Sequence, residues 1–224
     1  MFLKTLSEED LGNYREFFLK NDYVLLKDVL TDEGKDYLNK MEFQSTSGDH
    51  PQFGRNHNNE DFRYIINEYV SDTLGFYKKI IGEQFYSTFA FAMEYIKDNY
   101  VNPHLDLVIN EISSTVCYHS DGQYPLYMSS EFIENNYNHR YSLKHHNSIP
   151  LEKRIKINIE CGDIGIFNGR NHLHWREKLT DDIHYRALLS HYSYTIGGSN
   201  EWNKKTSEEV PHENSIGPIY FSEN

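Results

Sequence analysis

Residues 100–106 read Tyr100-Val101-Asn102-Pro103-His104-Leu105-Asp106, and residues 169–176 read Gly169-Arg170-Asn171-His172-Leu173-His174-Trp175-Arg176. Side chains along an extended chain alternate between two faces, so His104 and Asp106, two apart, project to the same side. A histidine from the second stretch would complete a three-donor metal site. Two imidazoles and one carboxylate on one face of a metal leave its other positions open for chemistry, the donor set of mononuclear non-haem iron. His172 and His174 are also two apart and share a face, so the spacing alone leaves both as candidates for the third donor.

A His-x-acid pair is a weak signal by itself. With 12 His and 34 acidic residues in 224, chance supplies about two such pairs, and a second one stands at His119-Ser120-Asp121. Context separates them. Ile109 to Tyr118 is rich in β-branched and alternating apolar residues, and Asp121-Gly122 after it is a strong turn signal. Asp121 therefore has a structural task, whereas no turn pattern claims His104 and Asp106. Further on, Ile155 to Glu160 and Ile164 to Phe167 read as a hairpin of two short strands around Gly162-Asp163, with the histidines following in a loop. Thr180-Asp181-Asp182 reads as a turn and Tyr185 to Tyr194 as an apolar strand. Arg186, near the start of that strand, calls for a carboxylate partner from the protein or a ligand, because an unpaired cation in an apolar strand is costly.

In this order and spacing the chain resembles the Fe(II)- and 2-oxoglutarate-dependent dioxygenases. The matching elements are His104-x-Asp106, the Gly162-Asp163 turn with Phe167, His174-Trp175-Arg176, and a basic residue twelve positions after that histidine. The likeness runs over roughly residues 85–195. It implies a mainly β fold with flanking helices, a double-stranded β-helix (jelly-roll) core packed by N-terminal helices. It implies His174 rather than His172 as the third iron ligand, Arg186 as the anchor for the far carboxylate of 2-oxoglutarate, and Tyr95, on the strand Phe89 to Ile96, as a hydroxyl donor to the same co-substrate. The reaction it implies is hydroxylation of an unactivated C–H bond by O2, with release of succinate and CO2. Halogenating relatives carry a small residue in place of the carboxylate ligand, and Asp106 is present here. The substrate expected is a small molecule, amino acid or peptide. A protein-residue hydroxylase of the prolyl or asparaginyl type is the nearest alternative. A cupin-like metal- or sugar-binding barrel without oxygenase activity is the alternative from another class, and it would have no use for Arg186.

Composition fits that reading. A net charge of −12 and a pI near 5.4 with no basic stripe argue against nucleic-acid or anionic-membrane partners. Cys117 and Cys161 lie in or beside apolar strands, as expected of reduced thiols in a cytoplasm. The N-terminus lacks the apolar core of a signal peptide, and no run of eighteen apolar residues occurs. A soluble cytoplasmic protein is expected.

The remainder reads as support for the barrel. Ser7 caps an amphipathic helix over 7–20, Tyr23 to Leu30 is a buried strand, and Thr31 caps a helix to about residue 42. Residues 45–59 form a polar, turn-rich stretch long enough for a lid, with Arg55 and Arg63 beside it as surface arginines. An apolar stripe over 60–81, including Ile65, Ile66, Tyr69, Val70, Thr73 and Tyr77, marks a helix laid on the barrel. Residues 134–148 form a polar loop at the site mouth, not a second metal site, since His145 and His146 point to opposite sides of an extended chain. One domain is expected, with residues 1–82 as N-terminal support, 83–196 as the jelly-roll core and 197–224 as a tail.

Overall fold

In the computed structural model, residues 2–41, 43, 55–57, 63–82, 85–134, 142–143 and 146–194 are described. The lid stretch (except for the backbone of 55–57), most of the 134–148 loop and the C-terminal tail fall outside these residues. Among these residues, three α-helices, α1 (Glu8–Asn21), α2 (Asp32–Leu38) and α3 (Arg63–Ile81), accompany ten strands. The strands are β1 (Tyr23–Leu26), β2 (Arg55–His57), β3 (Tyr86–Tyr95), β4 (Val101–His104), β5 (Ile112–Ser120), β6 (Leu126–Phe132), β7 (Arg154–Ile157), β8 (Ile164–Phe167), β9 (His172–Arg176) and β10 (Tyr185–Ser193). They form a six-stranded sheet in the order β1-β8-β5-β10-β3-β2 and a four-stranded sheet in the order β4-β9-β6-β7. All pairings are antiparallel. This is the double-stranded β-helix.

Alternation along the strands divides the core into layers. On β10, Leu188 and Tyr192 pack with α3 in the layer between helices and large sheet, whereas Tyr185, Ala187 and Leu189 belong to the layer between the two sheets. On β9, Leu173 and Trp175 face outward into a third cluster with Leu105 and Ile149. His172, His174 and Arg176 consequently face into the barrel. The stripe on α3 is buried as its periodicity requires, and a polar ladder inside that layer ties the helix to β5. The Tyr69 and Tyr77 hydroxyls lie 3.0 Å apart, and Tyr77 reaches Ser114 Oγ at 2.7 Å. No helix among the described residues is long and apolar enough to cross a membrane.

Three local expectations are corrected. The strand from Tyr23 stops at Leu26 because Asp28 turns into the left-handed region, φ 50°, and the N–H groups of Val29 and Leu30 both bond to Gly162 O, at 2.9 and 3.0 Å. Residues 155–160 and 164–167 do not pair as a hairpin: β7 joins β6, and β8 lies between β1 and β5. Gly162-Asp163 is instead the corner at which the chain passes from one sheet to the other. Finally, the histidines of residues 172–174 lie on strand β9, not in a loop.

Asp163 is buried and holds that corner. Its carboxylate accepts from the backbone N–H of Asp28 at 2.8 Å and of Glu160 at 2.9 Å, and from Lys27 Nζ at 2.7 Å. Lys27 is half-exposed, so the ion pair adds little. The two backbone donors matter more, because a buried N–H without an acceptor costs about 1–3 kcal/mol. Asp163→Ala is expected to lower stability by roughly 3 kcal/mol, read as a lower urea midpoint at unchanged slope; an unchanged midpoint would show that the corner is held by its backbone alone.

Candidate metal centre

The centre is built on one cross-strand pair. β4 and β9 run antiparallel with His104 directly opposite His174, and directly opposed residues bring their Cβ atoms to about 5 Å. The two imidazole centroids are 4.2 Å apart. Asp106 follows β4, and its backbone N–H bonds to Gly169 O at 2.8 Å, which swings the carboxylate beneath the two rings. One donor atom from each of His104, Asp106 and His174 lies within 4.8 Å of the others, and all three residues are buried.

Each ring has a fixed orientation. His104 Nδ1 is 2.8 Å from Asn102 O and His174 Nδ1 is 3.1 Å from His172 O. A carbonyl can only accept, so each Nδ1 carries the proton and each Nε2 presents a lone pair. Those Nε2 atoms are 3.7 and 3.6 Å from the two oxygens of Asp106. Such a set of two imidazole lone pairs and a carboxylate fits a divalent metal. Burial pushes the Asp106 carboxyl up, but His174, His191 and His104, with the Ser113 hydrogen bond, outweigh it and hold the group well below the usual carboxylate range.

Beyond the donors, the large sheet contributes two residues that the sequence reading missed. Ser113 Oγ donates to Asp106 Oδ2 at 2.5 Å and is 2.9 Å from His191 Nδ1. A hydroxyl has one proton, already given to Asp106, so His191 must donate to Ser113. His191 also stacks on Phe89 at 4.4 Å. The available signal was the inward register of Tyr185, Ala187, Leu189 and His191 on β10. Gly169 was missed as well: a Cβ there would overlap Asp106 Oδ2 and approach Ser113 Oγ to 2.6 Å.

The other expected site residues are placed as follows. His172 faces the barrel but is held elsewhere, with Nδ1 3.0 Å from Ser129 O and Nε2 3.2 Å from Asp22 Oδ2. Asp121 accepts from His184 N at 2.7 Å, a turn role. Arg63 is exposed, and the side chain of Arg55 is outside the described residues. Arg186 is not brought to the metal centre. It lies on the helix-facing side of β10, bonded to Glu94 Oε1 at 3.0 Å and over the Phe43 ring. It is one residue of strand register out of phase with Tyr185 and Ala187, which face the layer between the sheets. Tyr95 does face the barrel interior, where its ring lies 5.3 Å from the guanidinium carbon of Arg176.

Solved structures share this architecture. A 2OG-Fe(II) oxygenase family oxidoreductase from Burkholderia pseudomallei matches with a TM-score of 0.59 at 12% identity, over 86% of this chain and 94% of that one. The fold is that of the 2-oxoglutarate/Fe(II) oxygenases. HygX from Streptomyces hygroscopicus, with nickel and 2-oxoglutarate bound, matches the oxygenase fold seen here with a TM-score of 0.57 at 11% identity, over 86% and 88% of the two chains. SnoK, a non-haem α-ketoglutarate-dependent carbocyclase from nogalamycin biosynthesis, matches with a TM-score of 0.54 at 12% identity, over 99% and 96%. No protein-family model matches the sequence, and no curated protein does.

Because Gly169 leaves the room that the Asp106 carboxylate fills, Gly169→Ala is expected to weaken divalent-metal affinity about tenfold or more while the fold persists. His172→Ala, by contrast, is expected to bind metal as the parent does. Isothermal titration with Co(II) checks both; metal loss in His172→Ala alone would move the third donor from His174.

Proposed function

We propose that this protein is an Fe(II)- and 2-oxoglutarate-dependent oxygenase that hydroxylates an unactivated C–H bond of a small organic molecule, with His104, Asp106 and His174 as iron ligands. The observation that carries this reading is the convergence of the two Nε2 lone pairs and the Asp106 carboxylate on one buried point. Bound there, ferrous iron with 2-oxoglutarate supplies C–H oxidation by O2, coupled to decarboxylation of the co-substrate to succinate and CO2.

The chain's own residues set the conditions. His104, Asp106 and His174 would hold the metal through two imidazoles and one carboxylate, a donor set that would leave positions for co-substrate and oxygen. Ser113, oriented by His191, fixes the rotation of the carboxylate, and outer hydrogen bonds of this kind raise metal affinity. Phe167 lies 4.9 Å from the His174 ring, and with Phe89 it lines the centre with apolar surface that keeps bulk water from the reacting atoms.

A small-molecule substrate is supported by two observations. HygX is also known with hygromycin B bound, alongside nickel and 2-oxoglutarate, and SnoN and SnoK belong to nogalamycin biosynthesis. The net charge of −12 repels a polyanion such as nucleic acid. A cavity of about 620 Å³ between the edge strands β1 and β7 is lined by Tyr23, Leu25 and Lys27 and by no metal-donor residue, so the substrate position is not assigned to it.

Anaerobic addition of Fe(II) and then 2-oxoglutarate is expected to give the weak visible charge-transfer band of the chelate, and Asp106→Ala is expected to abolish it. A parent protein that binds iron yet gives no band with 2-oxoglutarate would contradict the oxygenase reading and favour a metal-binding barrel without this chemistry.

A further inference from the structure

Arg176 is a cation inside the barrel, and nothing in the site described so far uses it. It stands two residues beyond His174 on β9, on the same inward face, about 7 Å further along the strand. It is 3% exposed. Among the described residues no carboxylate lies within 4.0 Å of its guanidinium. Its surroundings are instead three tyrosines, Tyr95, Tyr124 and Tyr185, whose ring centroids lie 5.3, 4.9 and 4.6 Å from the guanidinium carbon. The group donates to Tyr124 O through Nη1 and to Tyr185 Oη at 3.3 Å through Nη2. Tyr185 in turn donates to Ile159 O at 3.0 Å, and Tyr124 to Asn99 O at 3.0 Å.

A guanidinium has five N–H donors, and these two bonds engage two of them. Burying a cation with neutral partners only is costly, and π faces offset part of that cost. Such an arrangement is retained where an anion from outside completes it. The planar fork of arginine matches a carboxylate in bidentate geometry, and the cage fixes the plane of the fork in advance. Arg186 has the opposite character. It is partly exposed, already paired with Glu94, and directed at the helix layer through the far side of the sheet.

We propose that Arg176, not Arg186, anchors the distal carboxylate of 2-oxoglutarate, with the keto-acid end at His104, Asp106 and His174 and the tyrosine cage closing around the other end. The anchor thus sits on the metal-bearing strand itself, two residues past a ligand, so one strand fixes both ends of the co-substrate. This assignment rests on the oxygenase reading given above.

The test is anaerobic titration of the iron-loaded protein with 2-oxoglutarate and with 2-oxobutyrate, which keeps the keto acid but lacks the distal carboxylate, each followed by the charge-transfer band. The parent, Arg176→Gln, Arg176→Lys and Arg186→Gln proteins are compared. Arg176→Gln is expected to lose at least a hundredfold in 2-oxoglutarate affinity while its affinity for 2-oxobutyrate stays at the parent value, and Arg176→Lys to recover part of the loss. Arg186→Gln is expected to bind 2-oxoglutarate within twofold of the parent. A large loss in Arg186→Gln, or an unchanged affinity in Arg176→Gln, overturns the assignment, and the first of these does so whether or not the Arg176 variants fold. Absence of any band in the parent would instead remove the oxygenase reading beneath it.

Discussion

The pairing of β4 with β9 is the constraint on which the rest depends. It sets His104 opposite His174, and the Asp106–Gly169 backbone bond then leaves one place for the carboxylate. A one-residue slip in that register would turn both histidines out of the barrel, because strand side chains alternate with period two. The outward faces guard against this. Leu173 and Trp175 are buried with Leu105 and Ile149 on the other side of the small sheet, so a slip would expose an apolar cluster and bury imidazoles in its place. Hydrophobic patterning on one face thereby fixes metal-donor geometry on the other.

The interior of the barrel is divided electrostatically. At one end Asp106 sits among His104, His174 and His191; at the other Arg176 sits among tyrosines. Neither arrangement is what stability alone would select, since an apolar core of equal volume avoids the desolvation of charged groups. The surrounding structure carries that cost through ordinary means, namely the α3 stripe against the large sheet and the corner held by Asp163. Departures from a purely apolar core are expected where function resides.

Much of this was legible in the sequence, for physical reasons. The α1 boundary followed from Ser7 as N-cap with acids in the first turn, and the α3 face followed from helical periodicity. His104-x-Asp106 was legible because spacing of two fixes a common side whatever the fold. Other features depended on tertiary pairing. His172 and His174 share a face, so only the partner strand separates them. Arg176 is two residues from His174 and shares its side of β9, but Arg186 is a second cation in an apolar strand, and the direction it takes depends on a strand register that its local pattern does not contain. The segments 155–160 and 164–167 looked like a hairpin because Gly-Asp marks a turn, but it cannot show whether the flanking strands pair with each other or with different sheets. Ser113 and Gly169 carried no local signal at all, and His191 only its place in the alternation of β10, since their roles arise where three separate segments meet.

The most direct test of the central claim is an anomalous difference map from crystals grown with Mn(II) and 2-oxoglutarate under anaerobic conditions. A single peak bonded to His104 Nε2, Asp106 and His174 Nε2 is the result this account predicts. A peak on His172, or none at the His104–His174 pair in protein shown to bind manganese, would contradict it.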